Sequence, residues 1–353
     1  MKRLEIVQLG LGHVGRAVAQ IVLEERKRWS GDGIEVKYRA VSDTSGALVG
    51  EELLPQAIRL KVEGGRLSDL GVEPLEDVLG SAPEPGFTRV VVDVAVHGGT
   101  FALNLLGIRG GAYLVLSNKG PLSGSTAQYE QLRRMIPDRL WHEATVGAGM
   151  PIISTMDGLL KTGDEILEIQ ASPSGTLGFI MSAVEGGRSF SEAVKDAVDL
   201  HYAEPDPRDD LSGLDVARKA LILARMMGRE IEPEEIPYES LVPDSLEHVT
   251  LEEFMRRLPE HDEAFAARLL AVEEHHMLRY LVRIPQSGPV KVGLQDTPVE
   301  SPFGPISGPE NVFDFRTRRY SDVTLTVRGP GAGPERTASG VVWDLLDIAH
   351  KAL

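Results

Sequence analysis

Apolar positions along the chain fall into short runs separated by glycine-rich breaks. A strand-like run at residues 3–9 leads into GLGHVG and then a helical stretch, AVAQIVLEERKRW, which ends before the turn-rich SGDG. Further strand candidates follow in IEVKYRAVSD, TRVVVDVAV and AYLVLSN, with intervening segments long enough for crossover helices. RLWHEA adds another strand. This alternation predicts a parallel sheet of the α/β class. After TVGAGMP the texture changes. PIISTMDGLLKTG reads as a helix, EILEIQAS as a strand and SGT as a turn. RSFSEAVKDAVDL, GLDVARKALILARMMG and the acidic run around 250–276 read as helices, with Thr250 and Glu253 in a capping-box arrangement. Strand-like pieces return at MLRYLVRI, VKVGL, VFDFRT and VTLTVRG, and a last helix starts near Thr337. That helix is placed to pack back onto the first domain. The expected division is a dinucleotide-binding domain at 1–141 plus 334–353 and a second, α+β domain at 142–333.

Composition narrows the function classes. At 353 residues the chain exceeds what one hydrophobic core usually serves. A net charge of −16 disfavours nucleic acid and anionic membranes as general partners. The absence of cysteine removes disulfides, thiolate nucleophiles and zinc–thiolate sites. With no signal-peptide pattern at MKRLEIVQLGLG and no apolar stretch of membrane-spanning length, the expected location is the cytoplasm.

Gly10, Gly12 and Gly15 form GxGxxG between a strand and a helix, the context in which the pattern cradles a pyrophosphate rather than marking a simple turn. Asp43, at the end of the second strand, is placed to accept from an adenosine ribose, which favours NAD; the alternative is a solvated turn carboxylate. Asn118 and Lys119 follow the strand AYLVLS, at the carboxyl edge where parallel sheets present ligands.

The segment AEPDPRDDLSGLDVARKA sets Glu204, Asp206, Asp209, Asp210 and Asp215 before Lys219. Ser212 and Asp215 suggest a capped helix start, and Gly228 a stop. On a helical wheel Val216, Ile222, Leu223 and Met226 surround Lys219, whereas Arg218 and Arg225 mark the solvent arc. Lys219 therefore points into an apolar sector one turn beyond Asp215. Such a lysine can donate a proton or form a structural ion pair; both readings stand. His275 and His276 beside Glu273 and Glu274 point in different directions and do not suggest a metal site.

These residues together resemble the homoserine dehydrogenase family, most of all its fungal-type catalytic core. The matching stretches are GLGHVG, SNKG, HEATVGAGMPII, SGTLGFI, YAEPDPRDDLSGLDVARKALILAR, VRGPGAG and TASGV, in order along almost the whole chain. The resemblance implies reversible reduction of L-aspartate 4-semialdehyde to L-homoserine with NAD or NADP as cofactor, in the branch leading to threonine and methionine. By similarity Lys219 is the proton donor and Lys119 assists in polarising the substrate on the cofactor side. Glu204 and Asp215 bind substrate, Asp210 organises the site, and Gly175 and Thr176 approach the amino-acid backbone of the substrate. Leu11, His13 and Val14 lie in the pyrophosphate loop, Ala95 and Gly333 are further cofactor contacts, and the carbonyls of Glu143, Val146, Ala148 and Met150 would bind sodium. The second domain is then the catalytic and dimerisation domain of a homodimer.

There are departures from the family pattern. DVAVHGG places Ala95 and Val96 where the family often has threonine or serine, and His201 stands where a glycine commonly precedes Tyr-x-Glu. The expectation is a catalytic core without a regulatory domain after the terminal helix. Two other readings are a related dehydrogenase acting on another small amino or keto acid and a nucleotide-sensing binding protein.

Overall fold

The apolar runs in TRVVVD and YLVL build central strands of the first sheet, because strands covered on both faces need no polar alternation, whereas IEVKYRAVSD alternates. The computed structural model describes residues 1–96, 98–135 and 138–351. His97 of DVAVHGG and the final two residues of the expected first domain lie outside them. The strands are β1 (Lys2–Leu9), β2 (Ile34–Asp43), β3 (Gly46–Val49), β4 (Thr88–Asp93), β5 (Tyr113–Leu116) and β6 (Leu140–Trp141). Their order is β3-β2-β1-β4-β5-β6, parallel throughout except that β3 runs antiparallel to β2. The chain grows outward from β1 to β2, then returns to the other side of β1 as β4. The carboxyl ends of β1 and β4 therefore form the switch point at which open α/β sheets bind ligands.

Two long helices, His13–Gly31 and Pro334–Lys351, pack against each other in this unit. Val18, Ala19 and Val22 of one share a buried cluster with Ala338, Val341, Leu345 and Ile348 of the other, and with Leu4, Ile6 and Val92 of the sheet. Burying each such side chain stabilises the unit by roughly 1.5–3 kcal/mol, which explains why a helix so remote in sequence belongs here.

The second unit holds β7 (Ile166–Ser172), β8 (His276–Pro285), β9 (Lys291–Pro298), β10 (Asn311–Thr317) and β11 (Leu325–Gly329). They form an antiparallel sheet in the order β11-β10-β7-β8-β9. Helices Gly175–Glu185 and Leu214–Met226 pack on β8, and Phe190–Asp199 packs on the first of them. The α/β class with a second α+β unit is thus as the sequence predicted.

The details correct several expectations. The compact units are Met1–Ile153 with Gly333–Leu353, and Ser154–Ala332. Residues 142–153, expected in the second domain, pack with the first because the Glu143 N–H donates to Asp344 in the last helix, at 2.9 Å. Gly149 also lies against Arg336, Ser339 and Gly340 of that helix, leaving no room for a side chain. The last helix starts at Pro334, three residues before Thr337. The SGT stretch is not a turn but a helix start: Ser174 Oγ accepts from the Leu177 N–H at 3.2 Å. Strand β3 is an element the apolar pattern does not announce.

Candidate active site

In the first unit the glycine loop leaves β1 and enters the helix His13–Gly31. Gly10 has φ +98°, and a side chain there would stand 3.0 Å from the Ala95 amide nitrogen. Gly15 is backed by the Gly10 carbonyl, so a side chain there would force the helix off the strand. Gly12 by contrast faces open space within 4 Å, and as the residue preceding the helix it offers no capping side chain. The amide groups of the first helical turn are therefore free of side-chain caps, which suits the diphosphate of a dinucleotide. His13 is exposed, Val14 rests against the core, and Leu11 is fully buried, so its side chain serves packing.

Gln8 was missed in the sequence. Buried in β1, its amide donates to the carbonyls of Gly10 at 2.9 Å and Gly15 at 3.0 Å and accepts from the Tyr38 hydroxyl at 2.8 Å. It holds both ends of the glycine loop. A glutamine set between apolar Val7 and Leu9, immediately before the glycine loop, was the available signal.

The Gly10 N–H donates to the Ser42 carbonyl, which sets Asp43 beside the loop. Its carboxylate accepts from the Ser45 N–H (2.8 Å), Ser45 Oγ (2.5 Å), Lys61 Nζ (2.9 Å) and the Leu67 N–H (3.2 Å). Burial pushes Asp43 up, but these bonds outweigh it and hold the carboxyl below its ordinary value. Asp43 thus closes the β2–β3 turn and fixes the following segment with its own acceptor sites, rather than standing as a solvated turn group.

Across the switch point, Ala95 follows β4 against Gly10, and its N–H donates to Asp93 at 3.1 Å. Asn118 is buried beside Asp93, and half-buried Lys119 precedes the short helix Gly120–Ser123. Gly333, at φ +114°, accepts from the Thr337 N–H and opens the last helix. In the HEATVGAGM loop the Glu143 carboxylate accepts from the Ile153 N–H at 2.8 Å, Ala148 has φ +55°, and the Met150 carbonyl accepts from Ile152. Val146 is buried.

The second unit brings its predicted residues together. Lys219 is only 8% exposed; its ammonium donates to the Pro173 carbonyl at 2.7 Å and pairs with Asp215 at 3.0 Å. Pro173 leads directly into the start of the helix Gly175–Glu185. Thr176 donates from Oγ1 to the Tyr202 carbonyl at 2.7 Å, and the Glu204 N–H donates to Asp210 at 2.8 Å. Burial, together with the charges of Glu204 and Asp215, raises the Asp210 carboxyl above its ordinary range against the bonds from Glu204 and Thr176. The Asp215 and Glu204 side chains keep access to solvent. The result is a buried ammonium, three carboxyl groups and a helix N-terminus within one unit, a set able to hold a zwitterion and deliver a proton.

Three local expectations change. The helix bearing Lys219 has left-handed Gly213 (φ +75°) as its cap residue; Ser212 stands one residue earlier, where its hydroxyl donates to the Asp209 carbonyl at 2.9 Å and accepts the Leu214 N–H at 3.3 Å. Arg225 does not face solvent; it is 4% exposed and donates to the Ile231 carbonyl at 3.0 Å. His201 adopts φ +58° just past the helix Phe190–Asp199, with its side chain exposed. A left-handed residue at this position explains a glycine preference in backbone terms.

Comparison with known proteins agrees with this geometry. The family model for homoserine dehydrogenase matches residues 151–346. A bifunctional aspartokinase/homoserine dehydrogenase of Arabidopsis thaliana is 44% identical over 268 residues, covering 74% of this chain but only 29% of that protein. A homoserine dehydrogenase of Emericella nidulans is 39% identical over 260 residues, 69% of this chain and 71% of the relative. Among solved structures, a Candida auris protein of unknown function superposes with a TM-score of 0.86 at 29% identity, covering 99% of both chains. One from Archaeoglobus fulgidus, assigned as a homoserine dehydrogenase, gives 0.78 at 27% identity over 98% of this chain and 99% of its own. With more than half of its length matched by the family model, a match that contains Lys219 and the acidic segment before it, the chain belongs to the homoserine dehydrogenase family.

Proposed function

We propose that this protein catalyses the reversible NAD(P)H-dependent reduction of L-aspartate 4-semialdehyde to L-homoserine, a step toward threonine and methionine. The observation that carries the reading is Lys219, buried yet held by the Pro173 carbonyl and Asp215 beside a partly exposed acidic rim. A dinucleotide whose diphosphate is held at Gly10, Gly12 and Gly15 would supply the hydride from its reduced nicotinamide. As the aldehyde carbon is reduced, the carbonyl electron pair passes to oxygen, and Lys219 gives that oxygen its proton. A positive donor in a dry setting stabilises the developing alkoxide. Glu204 and Asp215 hold the substrate ammonium, while the start of the helix Gly175–Glu185 offers N–H groups to its carboxylate. Asp210 anchors the Glu204 backbone, and Lys119 serves as a second positive group on the cofactor side.

The residues at the glycine loop fit NAD or NADP. The neutral carbonyls of Glu143, Val146, Ala148 and Met150 would suit a hard monovalent cation such as sodium. Its part would be to order that loop. The proposed active form is a homodimer, checked by light scattering for a mass of two chains, and the proposed location is the cytoplasm. None of the described helices is long and apolar enough to cross a membrane.

The test follows reduced-nicotinamide oxidation with aspartate semialdehyde. Wild type should turn over, whereas Lys219→Ala should lose about 10²–10⁴-fold in kcat while binding NADPH as before. A folded wild type without turnover at any pH would defeat the proposal. Retained turnover in Lys219→Ala would assign Lys219 to a structural ion pair.

A further inference from the structure

Asp93 closes β4 at the switch point and is fully buried. Its backbone carbonyl accepts from the N–H groups of Ser117 at 2.9 Å and Asn118 at 3.2 Å, which fixes the exit of β5. Its carboxylate accepts from the Ala95 N–H at 3.1 Å, Thr100 Oγ1 at 2.6 Å and Asn104 Nδ2 at 2.8 Å, and lies 3.3 Å from Asn118 Nδ2 through either oxygen. Asn118 in turn donates to Thr100 Oγ1 at 3.0 Å and accepts the Gly120 N–H on its own side-chain oxygen at 3.0 Å. That last bond spans Lys119: the residue before it and the residue after it are tied together. One carboxylate therefore binds the loop that leaves β4 to the turn that carries the lysine.

From this geometry we infer that Asp93 is a positioning residue for Lys119, acting through Asn118 to fix the lysine's backbone relative to the β4 loop and the glycine turn beside it. The inference rests on the reading of Lys119 as a site residue. A purely structural buried carboxylate could use any surrounding donors, but here the donors come from the two segments that follow the adjacent strands β4 and β5. Burial raises the Asp93 carboxyl against the pull of its hydrogen bonds. Those bonds are what make a buried carboxylate tolerable at this place.

Asp93→Asn tests the idea because every partner of the carboxylate presents a donor and a carboxylate only accepts. An amide nitrogen in place of one oxygen opposes the Ala95 N–H; in place of the other it opposes the Asn104 amide. The experiment is a double-mutant cycle in kcat/KM with Lys119→Ala, alongside NADPH titration and circular dichroism. Asp93→Asn alone should cost about 10–100-fold, and less than about 3-fold when Lys119 is already alanine, because a residue that acts through another has nothing left to position. Losses that multiply in the double variant would overturn the inference. If Asp93→Asn does not fold, Asn118→Ala enters the same cycle with the same expectation. Unchanged turnover in Lys119→Ala, with wild type active, overturns the role of Lys119 and this inference with it, leaving Lys219 untouched.

Discussion

At the scale of single residues, the sequence located a buried lysine but not every neighbour. Apolar spacing around Lys219 predicted burial, and the ammonium is indeed sealed against Pro173 and Asp215. The same wheel misplaced Arg225, because a helical wheel cannot show that the chain folds back to offer the Ile231 carbonyl to a buried guanidinium. His201 raised a question the sequence left open, whether it narrows the site or points away. Its side chain is exposed and its backbone sits at φ +58°. A left-handed non-glycine residue costs roughly 1–2 kcal/mol. His201→Gly should accordingly leave kcat within about two-fold and raise stability by up to ~1 kcal/mol, since part of the gain is lost to glycine's flexibility when unfolded. A thermal midpoint that falls, or a marked drop in kcat, would show that the imidazole itself matters.

At the scale of elements, two helix starts carry the proposed substrate-binding residues, and each is built differently. Ser174 caps the helix Gly175–Glu185 through its hydroxyl, as sequence rules anticipate for serine before a helix. The helix carrying Lys219 starts instead from left-handed Gly213, packed so tightly that a methyl group would strike the Tyr280 hydroxyl, which donates to the Glu239 carbonyl. Ser212 looked like the cap because capping rules read only local spacing, whereas this start is dictated by a strand residue 67 positions on, at Tyr280 of β8. Gly213→Ala should therefore destabilise the chain by at least ~1–2 kcal/mol in chemical denaturation, from backbone strain alone. It should also lower kcat, because Asp215 lies in the first turn that shifts. Wild-type stability in this variant would show that the turn can relax without cost.

At the scale of the whole molecule, the distribution of buried charge sets how stability responds to pH. Burial holds the Asp344 carboxyl well above its ordinary range; the Glu143 N–H opposes this, and the charges of Glu143 and Asp347 reinforce it. The folded chain keeps a proton there that the unfolded chain gives up. This contribution to stability is complete below the unfolded value and is lost as pH rises toward the folded one. Asp344→Asn, which can still accept from Glu143, should flatten the decline of the melting temperature above the ordinary carboxylate range. An equal loss at acidic and neutral pH would contradict this origin. Asp43 has the opposite sign: its depressed value contributes stability that disappears as pH falls.

The sequence by itself determined the α/β order of the first unit, the glycine loop and the acidic segment leading to Lys219, because hydrophobic period and short-range spacing encode them directly. Tertiary structure alone decided that residues 142–153 join the first unit, that Asp43 spends its acceptors on Ser45, Lys61 and Leu67, and that Gln8 and Asp93 hold the two loops of the switch point. The bond from Glu143 to Asp344, those from Lys61 and Leu67 to Asp43 and that from Asn118 to Asp93 join segments that are distant along the chain. Local pattern carries no record of such partners, since a buried polar side chain is satisfied by whichever segment the fold brings to it.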